Sequence, residues 1–157
     1  MDEKALFLKF WDREATATRK VLSRIPEGSE YRPDPKSRLA REIAWLIVSE
    51  EIALADGLER GMLEWSEPQL PATMKEVLAT YDRHHDAASK KMHAVEPARW
   101  ERAVPFMVAG KEVMKDTGYA NAWGFLLDII HHRGQLTTYL RPMGAKVPQV
   151  YGPSADE

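Results

Sequence analysis

Asp128, His132 and Gln135 set a carboxylate, an imidazole and an amide at i, i+4 and i+7 of the segment Asp128-Ile-Ile-His-His-Arg-Gly-Gln135. On a helix all three project from one face, and Tyr139 follows them there. Polar groups inside an otherwise apolar segment are costly to bury unless something satisfies them. A divalent metal, a hydrogen-bond network or a solvent-filled cleft would each do so. An acid and an imidazole one turn apart can chelate a single ion, because zinc takes nitrogen and oxygen ligands at roughly 2.0–2.2 Å. Glu50 stands one turn after Leu46 and three residues after Ile47, on or beside the apolar stripe of an earlier helix. It would be the third ligand. A Glu-Asp-His site keeps positions open for water, as hydrolytic and transfer centres require, and its oxygen-rich donors also suit nickel, iron or manganese. The plainer alternatives are an Asp/His hydrogen bond for the pair and a boundary carboxylate paired with Arg or Lys for Glu50.

Other side chains are weaker candidates. His85 follows Tyr81 by four residues and could line the same interior, whereas His84 and His93 read as surface. His85 and Tyr139 are the candidate proton carriers near an ion. His131 sits about 100° around the helix from His132, which gives it a structural or interface role. Arg133 is expected to serve structure, bound to a carboxylate or to a row of carbonyls. Gly134 costs about 1 kcal/mol in a helix interior, and close approach of another backbone would explain it.

Four amphipathic segments must position these groups. The first runs from about Asp2 to Arg24 and ends at Ile25-Pro-Glu-Gly28. The second runs from Ser37, a good N-cap, to about Gly61, with Leu39, Ile43, Leu46, Ile47, Leu54 and Leu58 on its apolar stripe. Leu63 to Pro71 reads as a loop. The third helix covers about Thr73 to Ala94. Glu96 to Lys115 reads as irregular, with Phe106-Met107-Val108 a short extended piece. The fourth covers about Tyr119 to Leu140, with Trp123, Leu126, Leu127, Ile130 and Leu140 inward. In the Pro- and Gly-rich tail, Val147, Val150 and Tyr151 are expected against the body and the last four residues loose. The pattern predicts one all-α domain over residues 1–157, a four-helix bundle.

Composition narrows the function. A net charge of −2 gives no basic stripe for nucleic acid. With no cysteine in the chain, disulfides, thiolate zinc sites and cysteine nucleophiles are excluded. No apolar run reaches membrane-spanning length and the N-terminus is charged, so a cytoplasmic protein is expected.

The segments His131-His-Arg-Gly-Gln-Leu136, Tyr139-Leu-Arg-Pro-Met-Gly144, Val147-Pro148 and Tyr151-Gly-Pro-Ser154 resemble the C-terminal signature of the DinB-like proteins. Ser37 to Gly61, with Ala44-Trp45 and Glu50-Glu51, is similar to their second helix. The resemblance implies an up-down-down-up bundle with a long crossover between the second and third helices, and a homodimer. It implies a divalent metal, nickel or zinc, held by one histidine of the second helix and a His-x3-His pair of the fourth. It also implies, for some members, transfer or isomerisation with a low-molecular-weight thiol. Here His132 retains the second histidine of the pair and Asp128 replaces the first. The second-helix histidine falls on Leu46, or on Trp45 with a one-residue shift, and neither can ligate; Glu50 is the substitute.

Two functions follow. One is a metal-dependent enzyme acting on a small molecule by transfer or hydrolysis. The other is a non-catalytic dimeric bundle with a degenerate metal site and a stress-related ligand-binding or structural role. The family name suggests DNA, but the chain has no recognisable reading helix.

Overall fold

A computed structural model gives the fold and describes residues 2–66 and 68–157; Met1, and Glu67 within the expected Leu63–Pro71 loop, lie outside the described residues. The order of elements is α1 (Glu3–Leu22), α2 (Ala40–Arg60), β1 (Leu63–Trp65), α3 (Met74–Ala94), α4 (Pro97–Glu101), β2 (Ala103–Val108), β3 (Lys111–Thr117) and α5 (Gly118–Leu140). The expected fourth helix is therefore α5. The fold is mostly helical rather than purely all-α, because β1, β2 and β3 form a small sheet.

Local chemistry sets the helix ends. Asp2 caps α1 by accepting from the Ala5 amide at 2.6 Å. Thr73 and Glu76 form a reciprocal capping box at the start of α3. Thr117 accepts from the Ala120 amide at 3.1 Å and starts α5. The expected cap at Ser37 is wrong. Helix α2 begins after Leu39, whose amide donates to Glu42 at 2.7 Å, so the carboxylate three residues inside the helix satisfies the end.

Cross-helix contacts give the directions of the four long helices. Arg19 pairs with Asp82 while Lys4 reaches the His93 carbonyl, so α1 and α3 are antiparallel. Glu51 meets His85 and Asp56 meets Lys91, so α2 and α3 are parallel. Phe7 packs on Trp123 while Glu14 pairs with Arg133, so α1 and α5 are parallel. Glu50 lies near His132 while Tyr139 reaches the Arg38 carbonyl, so α2 and α5 are antiparallel. The chain thus runs up, down, down and up, and residues 61–73 make the crossover. Phe7, Trp11, Ile47, Leu54, Leu58, Met92, Trp100, Ile129 and Leu136 are among the fully buried core residues. Among the described residues no helix is long and apolar enough to cross a membrane.

The sheet has strand order β1-β2-β3, with β1 parallel to β2 and β3 antiparallel to it. Ala109 and Gly110 both have positive φ, 50° and 75°, as a tight two-residue hairpin turn between Val108 and Lys111 demands. The register slips by one residue after Phe106, leaving Val113 as a bulge. Gly57 lets β1 lie on α2, since a Cβ there would sit 2.9 Å from the Leu63 Cα. The expectation for Gly134 fails: a Cβ there would meet nothing within 4 Å.

The tail is more ordered than expected. Asp156 accepts from the Val147 amide at 2.8 Å and pairs with Arg141, and Glu157 pairs with Arg24. The backbone donor at Val147, aided by the Arg141 guanidinium, holds the Asp156 carboxyl below its usual range against the opposing effect of burial.

Candidate metal centre

The rotation of α5 about its axis is fixed from the side opposite the site. Arg133 is buried and pairs with Glu14 at 2.7 Å, while also donating to the Glu14 carbonyl and the Thr18 hydroxyl. Tyr151 from the tail donates to Glu14 at 2.6 Å and accepts from Arg133. Arg133 thus has the structural role its sequence context suggests. With Arg133, Leu136 and Ile129 turned inward, Asp128 and His132 face α2. The antiparallel packing of α2 brings Glu50 opposite them.

His132 Nε2 lies 3.7 Å from Glu50 Oε1 and 3.6 Å from Asp128 Oδ1. One donor atom from each of the three residues falls within 4.8 Å of the others. Ligands bound at about 2.1 Å to a tetrahedral ion stand roughly 3.4 Å apart, so the spacing fits a shared cation with little adjustment. Glu50 is 5% exposed, and its Oε2 is buried without a hydrogen-bond partner among the described residues. Such an orphaned buried oxygen is costly, and once the carboxyl is ionised a cation would satisfy it. The donor set, one imidazole and two carboxylates, suits a borderline or hard divalent ion.

Burial, and secondarily the negative charge of Asp128, push the Glu50 carboxyl up to about 9, while Arg38 pulls the other way. Without an ion, Glu50 therefore holds a proton at neutral pH. Gln135 completes the support. Its carbonyl accepts from His132 Nδ1 at 3.1 Å and its amide donates to His131 Nε2 at 3.0 Å. The proton held on Nδ1 leaves the His132 Nε2 lone pair turned to the carboxylates, as a metal-binding imidazole needs.

The trio lines a cleft of about 660 Å³. Helices α2 and α5 form two walls, through Leu46, Phe125 and Leu127. The sheet forms the third, with one side chain from each strand: Trp65, Phe106 and Met114. Phe106 and Phe125 meet edge to face with centroids 5.6 Å apart. Asn121 ties the start of α5 to the strand ends through bonds from its amide nitrogen to the Val104, Asp116 and Thr117 carbonyls, and Arg38 also lines the cleft.

Several expectations need correction here. His85 does not line the cleft; it packs between Trp11 and Tyr81 and bonds Glu51 at 2.9 Å. Tyr139 is buried, stands edge-on to Tyr31 and reaches the Arg38 carbonyl at 3.3 Å, also outside the cleft lining. Neither stands beside the trio to carry protons. His131 does line the cleft, despite its offset from His132, because the cleft is wide enough to take in both faces. Leu127, expected inside, is 61% exposed at the cleft. Phe106-Met107-Val108, expected to be extended, lies in β2, whereas β1 and β3 were hidden because a three-residue strand and an exposed, charged one carry no periodic apolar signal.

The whole chain, residues 1–157, matches the DinB family. It is 26% identical over 157 residues to the uncharacterized protein YrdA of Bacillus subtilis, covering 96% of this chain and 89% of that one. A DinB-like protein from Bacillus cereus has a similar fold, with a TM-score of 0.73 at 19% identity over 92% of this chain and 95% of that one. The DinB-like protein YjoA of Bacillus subtilis gives 0.69 at 18% identity, over 95% and 99% of the two chains.

Proposed function

The chain belongs to the DinB family, and we propose that it is a divalent-metal-dependent enzyme acting on a small molecule by hydrolysis or thiol-dependent transfer. Glu50, Asp128 and His132 would hold the ion, nickel or zinc, and the working form would be a homodimer. The observation that carries this reading is the convergence of ligating atoms from Glu50, Asp128 and His132, with the other Glu50 oxygen buried and orphaned, in the lining of a substrate-sized cleft.

When bound, the ion supplies Lewis acidity, lowering the pKa of a water or thiol that it holds. The chain's own residues do the rest. Glu50 gives up its proton to become a ligand, which makes loading pH-dependent. Gln135 orients both imidazoles. His131, whose Nε2 accepts from Gln135, keeps its proton on Nδ1 and is the group in the cleft to hand a proton to a leaving group.

A chromogenic aryl ester, and a small thiol with an aromatic electrophile, test both reaction classes on nickel- or zinc-loaded protein. Turnover that falls by about 100-fold or more in Asp128→Ala and His132→Ala supports the reading. Equal rates in the variants and in metal-free protein contradict it. A second reading, a non-catalytic bundle with a degenerate site, draws on Leu46 standing in the cleft where the family resemblance implies a histidine. Metal that raises thermal stability with no turnover would favour it.

A further inference from the structure

The cleft lining falls into two groups. Glu50, Asp128 and His132 bring ligating atoms together beside His131, while Phe125, three residues before Asp128 on α5, meets Phe106 of the sheet. The remaining lining is dominated by Leu46, Trp65, Phe106, Met114, Phe125 and Leu127. Met114 and Leu127 are 47% and 61% exposed, so two large apolar side chains are held in water beside the cleft. Arg38 is the one Lys or Arg among the described lining residues. Two carboxylates offset the charge of a divalent ion, leaving the loaded cleft the positive charge of Arg38, too little to hold a polyanion. A volume of about 660 Å³ is of the size that takes a small organic molecule rather than a peptide segment.

From this division we infer that the substrate is a small molecule with an uncharged aromatic body and an oxygen or sulfur head. Its ring lies among Trp65, Phe106, Phe125, Met114 and Leu127, where edge-to-face contacts like that of Phe106 with Phe125 are available. Its head lies at Glu50, Asp128 and His132. The orientation rests on the metal reading proposed for those three residues; the apolar part of the site does not. The sheet supplies three of these five ring-binding side chains and α5 the other two.

Hydroxamic acids separate head from body. On zinc-loaded protein, calorimetric titration should give benzohydroxamic acid an affinity on the order of tenfold or more above acetohydroxamic acid, from burial of the ring. A 4-carboxy derivative should lose that gain. Leu127→Asp and Met114→Asp alter exposed side chains outside the ligand trio. Each should abolish the preference, with the zinc content of each variant measured in parallel. Equal affinities of the two acids for the unaltered protein, or a 4-carboxy derivative that binds best, overturn the inference. So does a Leu127→Asp variant that turns a dimer into monomer with the preference intact, since that face would then join two copies of the chain. Metal-free protein provides a separate arm, with benzyl alcohol as probe in saturation-transfer NMR. Ring saturation that Leu127→Asp removes supports the apolar site even where no metal binds. No saturation in the unaltered protein overturns it.

Discussion

At the scale of single residues, Glu50 is the side chain whose state changes most with conditions. Its carboxyl is held at about 9, far above the 4.5 of an unfolded chain. The folded state therefore binds more protons than the unfolded state between those values. Stability from this group is full below pH 4.5 and declines as pH rises toward 9. Between pH 6 and 8, metal-free protein should lose roughly 3 kcal/mol in urea denaturation, and Glu50→Gln should lose much less. His85 acts in the same direction: burial lowers its pKa, but the hydrogen bond and charge of Glu51 outweigh that and leave it raised. The difference between wild type and Glu50→Gln cancels the His85 contribution. An unchanged pH slope in the variant would show that Glu50 is not the buried acid described here. Leu46 offers a complementary gain. It lines the cleft one turn from Glu50, so Leu46→His should raise zinc affinity by about tenfold or more through a fourth ligand, read by competition with a chromophoric chelator. Asp128 and His132 could be read as a pair because helical spacing alone puts them on one face. Glu50 joined them only by assuming which helices face each other. His131 and Asn121 gave no such signal, since their place in the cleft depends on its width and on the sheet.

At the scale of elements, the long helices were legible and the short ones were not. Twenty-residue amphipathic stripes such as α1 announce themselves through repeated apolar positions. The sheet could not, because β3 is exposed at six of its seven positions and β2 contains Pro105. That proline is tolerated one residue before the part of β2 that pairs with β1. Two glycines test how these elements meet. Gly134 has open space around it, so Gly134→Ala should stabilise the protein by about 0.5–1 kcal/mol, through helix propensity. Gly57 has the Leu63 backbone against it, so Gly57→Ala should destabilise by roughly 1–3 kcal/mol and loosen β1. Chemical denaturation of the two variants should move in opposite directions; a common direction would contradict the packing of β1 on α2.

At the scale of the whole molecule, one buried ion pair joins α1, α5 and the tail, and one cluster of ligating groups joins α2 and α5. Arg133→Ala would leave Glu14 buried and unpaired, at a cost of roughly 3–5 kcal/mol. Tyr151→Phe removes a neutral hydroxyl from the same network and should cost only about 1 kcal/mol. Thermal unfolding that ranks them equally would mean that the network is not held as a unit. The second junction decides function. Metal content and zinc or nickel calorimetry on protein purified without chelator measure it directly. One ion per chain is expected in the wild type and in His85→Ala and Tyr139→Phe, whose side chains lie outside the cleft lining. Asp128→Ala and His132→Ala should lose it. An ion that stays bound when the Asp128 and His132 side chains are removed, or a wild-type chain that takes up neither metal, would contradict a metal centre at Glu50, Asp128 and His132.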